Sequence, residues 1–191
     1  MAQVQAAGRP REKDPRTRLL EIIKQKSLLR GTFKLASGAT SNYYLDLKPT
    51  TFDPEGAALV AEIVGGLLAA DTDVDAIGGL ELGAVPIVVA VVARSFTTRP
   101  VHGFVVRKEK KGHGTDQAID GCFKPNSTVV LIEDVTTKGG SVMQAVRAVR
   151  AQGATIRKII TIVDREEGAA AALGKEGLTL VPIFTATELL G

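Results

Sequence analysis

Thr128-Val129-Val130-Leu131-Ile132-Glu133-Asp134-Val135-Thr136-Thr137-Lys138-Gly139-Gly140-Ser141 is the stretch on which the reading of this chain turns. Thr128–Ile132 reads as a strand, and its apolar run has no polar alternation, so both of its faces should be covered. The strand delivers two adjacent carboxylates, and a Thr/Gly/Ser loop then opens a helix over 140–152. Backbone amides of such a loop, the hydroxyls of Thr136, Thr137 and Ser141, and the unpaired N–H groups of a helix start can together surround a phosphate. Gly139 and Gly140 permit close approach and positive φ. The spacing is not that of a Walker loop. Two acids ahead of a phosphate cradle need partners of their own: vicinal sugar hydroxyls are suitable donors, and a divalent cation would ease the charge. The plainer reading is a strand and a turn, with exposed Glu133 and Asp134 capping the helix.

Outward from that stretch the chain alternates helix and strand. Asp14-Pro15 and Asp53-Pro54 each offer an N-cap followed by a first-turn proline, the second ahead of a helix running to about Ala70. Strands are expected at Thr32–Leu35, Asn42–Leu47, Ala76–Leu80, Val101–Val106, Ile156–Val163 and Leu178–Phe184, and a helix at Val85–Arg94. Thr185-x-x-Glu188 is a capping-box signature for a short last helix. Buried strands separated by helices imply an α/β fold, a doubly wound parallel sheet with right-handed crossovers. In that architecture ligands sit beyond the carboxyl ends of the strands, here after Leu80, Val106, Ile132 and Val163.

The 191 residues suit one domain over 14–191, with a polar tail over 1–13 expected to add little to the core. There are 24 basic and 21 acidic residues, a net charge of +3, and the pI is near 9.1. That balance is too even for a polycationic nucleic-acid wrapper. Six Phe, two Tyr and no Trp leave little for a base-stacking platform. Cys122 is the one cysteine, which excludes an internal disulfide and any multi-cysteine metal site; it is expected to be buried or partly buried. The first residues lack the apolar stretch of a secretory signal. The apolar run Val85 to Ala93 contains Pro86 and falls far short of the roughly 20 residues of a spanning helix. A cytoplasmic protein is expected.

Two further segments carry charge at strand ends. Arg107-Lys108-Glu109-Lys110-Lys111-Gly112-His113-Gly114 follows the Val101–Val106 strand and has few apolar residues to pin it. It reads either as a solvated loop or as a lid that concentrates cations where a leaving diphosphate develops negative charge. Arg165, in Val163-Asp164-Arg165-Glu166-Glu167-Gly168, is either an ion-pair partner of its acidic neighbours or a fork for a planar carboxylate.

The Val129–Ser141 stretch resembles the phosphoribosyl diphosphate (PRPP) motif of type I phosphoribosyltransferases. The resemblance implies that Glu133 and Asp134 hold the ribose hydroxyls and that Thr137, Lys138, Gly139, Gly140 and Ser141 take the 5′-phosphate. Val135 and Thr136 complete the PRPP-binding run. At Lys138 the family more often has a small or hydroxyl residue, and a phosphate contact and a side chain in water both stay open. The basic loop, about 107–120, is similar to the catalytic lid of orotate phosphoribosyltransferases, which closes over the neighbouring subunit's site in a homodimer. This implies diphosphate contacts from Arg107, Lys108, Lys111 and His113. Catalysis is assigned to Lys111 and Asp134, and Lys110 has no counterpart. The segment Phe33–Asp46, within a hood at about 30–50, resembles the element that shelters the pyrimidine, though a packed hairpin explains Tyr43 equally well. Some relatives have a PRPP-contacting lysine where Ala36 stands, and Lys34 lies on the same strand face. Some also have a Tyr-Lys pair at Leu82-Gly83, so only backbone amides remain in Gly79–Ala84.

The Arg165 segment resembles the family's carboxylate-holding element, which makes Thr137 and Arg165 the expected orotate contacts. The implied reaction moves ribose 5-phosphate from PRPP to orotate, giving orotidine 5′-monophosphate and diphosphate. Mg²⁺ would be carried by PRPP with no direct protein ligand. No nucleic-acid or membrane partner is expected. A purine-type phosphoribosyltransferase and a PRPP-sensing nucleic-acid regulator are the competing readings. Arg165 argues against the first, and the charge balance against the second.

Overall fold

The computed structural model describes residues 14–34, 40–109 and 118–191. Asp14 accepts a hydrogen bond from Thr17 N, and Pro15 opens α1 (Pro15–Lys26), which buries Leu19, Ile22 and Ile23. The chain then makes an antiparallel ribbon, β1 (Leu28–Lys34) and β2 (Thr40–Leu45). Both strands start earlier than the patterning predicts. Their ladder is anchored at its base by Leu28 opposite Leu45, and only Tyr43 and Leu45 are buried, so little hydrophobic alternation reaches the sequence. A single helical turn, α2 (Lys48–Thr51), leads into α3 (Pro54–Leu68), capped by Asp53 accepting from Gly56 N.

The rest of the chain builds the sheet and its helices: β3 (Ala76–Leu80), α4 (Ala84–Ser95), β4 (His102–Val106), β5 (Ile119–Gly121) and β6 (Thr128–Thr136). They are followed by α5 (Gly140–Arg150), β7 (Thr155–Asp164), α6 (Ala169–Gly174), β8 (Leu180–Thr185) and α7 (Ala186–Leu190). The strand order is β5-β4-β3-β6-β7-β8, parallel except for β5. The expected doubly wound parallel sheet is present, with one short antiparallel strand added at its edge that the patterning does not reveal. Its sequence, Ile-Asp-Gly, is too short to leave a periodic signal, and the strand exists because it pairs with Phe104–Val106. The capping box at Thr185 and Glu188 forms as expected.

The two layers explain the unbroken apolar run in β6. Val130 and Ile132 point into one core with α1, α3 and α4, while Val129 and Leu131 point into another with α5. Alternation is present, but both faces are apolar.

Chain direction fixes where a site can lie. From β3 the sheet grows one way through β4 and the other way through β6, β7 and β8, so the topological switch falls between β3 and β6. The pairing of β3 with β6 ends at Gly78 opposite Leu131, whereas the β6–β7 ladder continues to Thr136 opposite Asp164. Strand β6 therefore runs four residues past the expected end at Ile132 and outreaches β3, leaving a crevice beside its last turn. Cys122 is exposed, not buried or partly buried as expected; it directly follows the edge strand β5. No helix among the described residues is long and apolar enough to cross a membrane.

Candidate active site

The crevice at the switch point is a cavity of about 260 Å³ lined by Lys48, Leu80, Glu81, Leu82, Gly83, Lys108, Glu133, Asp134, Val135 and Ser141. Two larger cavities, of about 400 and 660 Å³, lie between α3 and α4 and between β4, β5 and α5. Neither contains a pair of carboxylates beside a helix start, so the chemistry selects the smaller one.

Glu133 and Asp134 are part of β6, not of the loop after it, so their environments differ as strand neighbours' must. Glu133 is 6% exposed. Burial, and after it the adjacent Asp134 charge, push its carboxyl up to about 9, so it is neutral at physiological pH. Asp134 is half-buried; its Oδ1 accepts from Val135 N at 2.8 Å. Its carboxylate lies against the start of α4, where a Cβ built on Gly83 would stand 2.4 Å from Oδ1. Glycine at that position is what lets the β3–α4 turn, with its cis Glu81–Leu82 peptide, close onto the acid.

Beyond Thr136 the chain turns through Gly139, whose φ of 84° favours glycine, into α5. This helix has no side-chain cap and no acid in its first turn, leaving its leading N–H groups open toward Ser141 and the crevice. Thr137, Lys138 and Gly140 are exposed on the same turn. Thr136 behaves differently from its expected role as a phosphate hydroxyl. It is buried, and its Oγ1 donates to Asp164 Oδ1 at 3.1 Å, because strand register turns it under the sheet edge.

Two backbone bonds tie the phosphate-type turn to the end of β7: Arg165 N donates to Thr136 O at 2.9 Å and Ala169 N to Thr137 O at 3.1 Å. Glu166 clamps the same turn to α7, accepting from Thr187 N and Oγ1 at 2.9 and 2.6 Å. Arg165 is thus mounted on a braced corner. Its side chain is 9% exposed, its guanidinium stacks 4.5 Å from the centre of the Tyr43 ring, and Nε lies 2.8 Å from Glu167 Oε1. That contact is electrostatic, not a hydrogen bond, since the buried Nε–H has no aligned acceptor. The ion-pair reading of Arg165 thus holds, and its guanidinium lies in addition over an aromatic ring. The stacked guanidinium also shows why Tyr43 is buried.

Of the expected lid, Lys108 reaches the crevice and its N–H donates to Glu81 Oε1 at 2.9 Å. Arg107 does not line it; it pairs with Asp120 of β5 and faces the cavity beside α5. Lys110, Lys111 and His113 lie outside the described residues, as does Ala36, while Lys34 ends β1. Lys48 was missed by the sequence reading. It lines the crevice from α2, and its Nζ lies 2.6 Å from Asp46 Oδ1. The available signal is Asp46-x-Lys48, whose acid falls inside the expected Asn42–Leu47 strand and whose lysine falls just past its end. Among the described residues no group of three or more metal-ligating side chains occurs.

A family model, the phosphoribosyl transferase domain, matches residues 52–184. The orotate phosphoribosyltransferase of Rhodopseudomonas palustris (strain BisB5) is 48% identical over 180 residues, covering 92% of this chain and 96% of that protein. The crystal structure of Mycobacterium tuberculosis H37Rv orotate phosphoribosyltransferase in complex with Fe(III) dicitrate superposes with a TM-score of 0.82 at 35% identity, covering 92% of this chain and 99% of that one. The same enzyme in complex with PRPP gives a TM-score of 0.80 at 33% identity, covering 93% of this chain and 100% of that one.

Proposed function

The chain belongs to the orotate phosphoribosyltransferase family, and we infer from this that it transfers ribose 5-phosphate from PRPP to N1 of orotate. Orotidine 5′-monophosphate and diphosphate are the products, in pyrimidine biosynthesis. The observation that carries the site assignment is the crevice in which the Glu133–Asp134 pair, the open start of α5 and Lys108 meet at the topological switch.

In this reading the 5′-phosphate sits on the amides of Gly139, Gly140 and Ser141 with the Thr137 hydroxyl. Asp134 accepts a ribose hydroxyl. Glu133, neutral in the free protein, can donate to the other hydroxyl or accept from it. Arg165 and Thr137 hold the orotate carboxylate, and the stacked Tyr43 covers the guanidinium so that its donors face a ligand and not water. The C1′–O bond to diphosphate breaks and the N1–C1′ bond forms, with N1 losing its proton. Positive charge develops at C1′, next to Asp134, and negative charge on the leaving diphosphate, next to Lys108 and the lid residues Lys111 and His113.

Mg²⁺ would be held by PRPP oxygens and water, with Glu133 and Asp134 engaging the ribose hydroxyls and not the metal itself. When bound, Mg²⁺ neutralises diphosphate charge. We read the assembly as a homodimer that shares its lids; that Arg107 pairs with Asp120 and does not line its own crevice is compatible with this. Sedimentation at micromolar concentration tests that assembly. We place the reaction in the cytoplasm, in keeping with a single thiol. Incubation with PRPP, Mg²⁺ and orotate, following the fall in orotate absorbance, tests the reaction. Turnover of a purine base but not of orotate would overturn it.

A further inference from the structure

A diphosphate needs more positive charge than the crevice walls hold in excess. With Glu133 neutral, Glu81 and Asp134 face just two cations among the described lining residues, Lys48 and Lys108. At Gly83 in the β3–α4 wall a Cβ would stand 2.4 Å from Asp134 Oδ1, and its neighbours Glu81 and Leu82 bring no positive charge. Lys48 comes from outside the sheet, as the first residue of α2. Asp46 Oδ1 holds it twice, accepting from its backbone N at 3.0 Å and from Nζ at 2.6 Å. The Asp46 hydrogen bond, with a further contribution from Asp134, keeps the ammonium more strongly protonated than an ordinary lysine. Its side chain is 49% exposed, so the ammonium is anchored yet open to a ligand.

A sugar laid over Glu133 and Asp134 with its 5′-phosphate at Gly139–Ser141 points its C1′ substituent toward the remaining walls, where Lys48, Lys108 and the Glu81–Gly83 turn lie. We propose that Lys48 binds the diphosphate group of PRPP directly, and that Asp46 is the positioning residue that aims it. This rests on the reading of the crevice as the PRPP site.

The test uses the full chain. Lys48→Ala and Lys48→Gln are expected to raise the KM for PRPP about ten- to hundredfold, the cost of one charge-assisted contact. The KM for orotate and the thermal midpoint should stay near wild type. By calorimetric titration, inorganic diphosphate should bind these variants more weakly by the same factor, while ribose 5-phosphate binds as before. Lys48→Arg should recover most of the loss. Asp46→Asn should raise the PRPP KM less than loss of the lysine does. Unchanged diphosphate affinity in Lys48→Ala, or equal weakening of diphosphate and ribose 5-phosphate, would overturn the proposal. A wild-type protein that binds neither ligand and makes no orotidine 5′-monophosphate would overturn the functional reading on which it stands.

Discussion

Replacing Glu133 with Gln should make the free protein more stable than wild type at alkaline pH and leave it nearly unchanged at acid pH. The folded protein holds a proton on Glu133 up to about pH 9, whereas the unfolded chain releases it near the ordinary value of 4.5. Between those limits the native state binds one more proton, so wild-type stability falls as pH rises, by about 1.4 kcal/mol per unit. From pH 5 to pH 8 that slope sums to about 4 kcal/mol, an upper figure because water drawn toward the charged carboxylate softens it. Glutamine has the shape of the neutral acid and no such slope. Guanidinium unfolding followed by circular dichroism at pH 5, 6.5 and 8, in metal-free buffer, reads the difference directly. A wild-type-to-variant gap that is the same at pH 5 and pH 8 would refute the assignment of a buried, neutral Glu133.

Arg165→Ala should raise the KM for orotate at least about tenfold while changing that for PRPP little, since a charged hydrogen bond is worth about 1.5–3 kcal/mol; steady-state kinetics with each substrate varied checks this, and equal loss of both counts against the carboxylate role. Gly83→Ala should push Asp134 from its place beside α4 and weaken PRPP binding about tenfold or more, with a native circular dichroism spectrum; unaltered PRPP affinity would show that the turn can yield. Lys111→Ala should lower turnover about a hundredfold or more without unfolding the chain, measured by orotate consumption, and near-normal turnover would remove it from the catalytic set.

The layered α/β fold could be read from the chain because its strongest signals are local. Asp14-Pro15 and Asp53-Pro54 do cap helices, and Ala76–Leu80 is a strand over that whole range. What sequence did not show depends on pairing across distance. Ile119–Gly121 becomes a strand only because β4 is beside it, and Glu133–Thr136 stays extended because β7 continues alongside. The same cause governs the site. Composition and order pointed to Glu133, Asp134 and the glycine turn. Whether Thr136 faced a ligand or Asp164 was a matter of register, and Lys48 entered only through the path of α2.

Arg107 N donates to Ala118 O at 2.9 Å, and the next rung pairs Val106 with Ile119. Arg107 and Ala118 therefore stand side by side on the sheet rim, at the two ends of the stretch that joins them in sequence. Doubling the length of a segment closed at both ends in this way costs only about 0.6 kcal/mol in closure entropy, and the β4–β5 rungs need not shift. A descendant that keeps Lys111 and His113 could lengthen this stretch to suit a bulkier acceptor or a different neighbour. The turn between Thr136 and Gly140 has no such latitude, since its carbonyls are stitched to Arg165 and Ala169. Evolutionary tinkering, and any engineer's, has its cheapest point of entry at the sheet's rim.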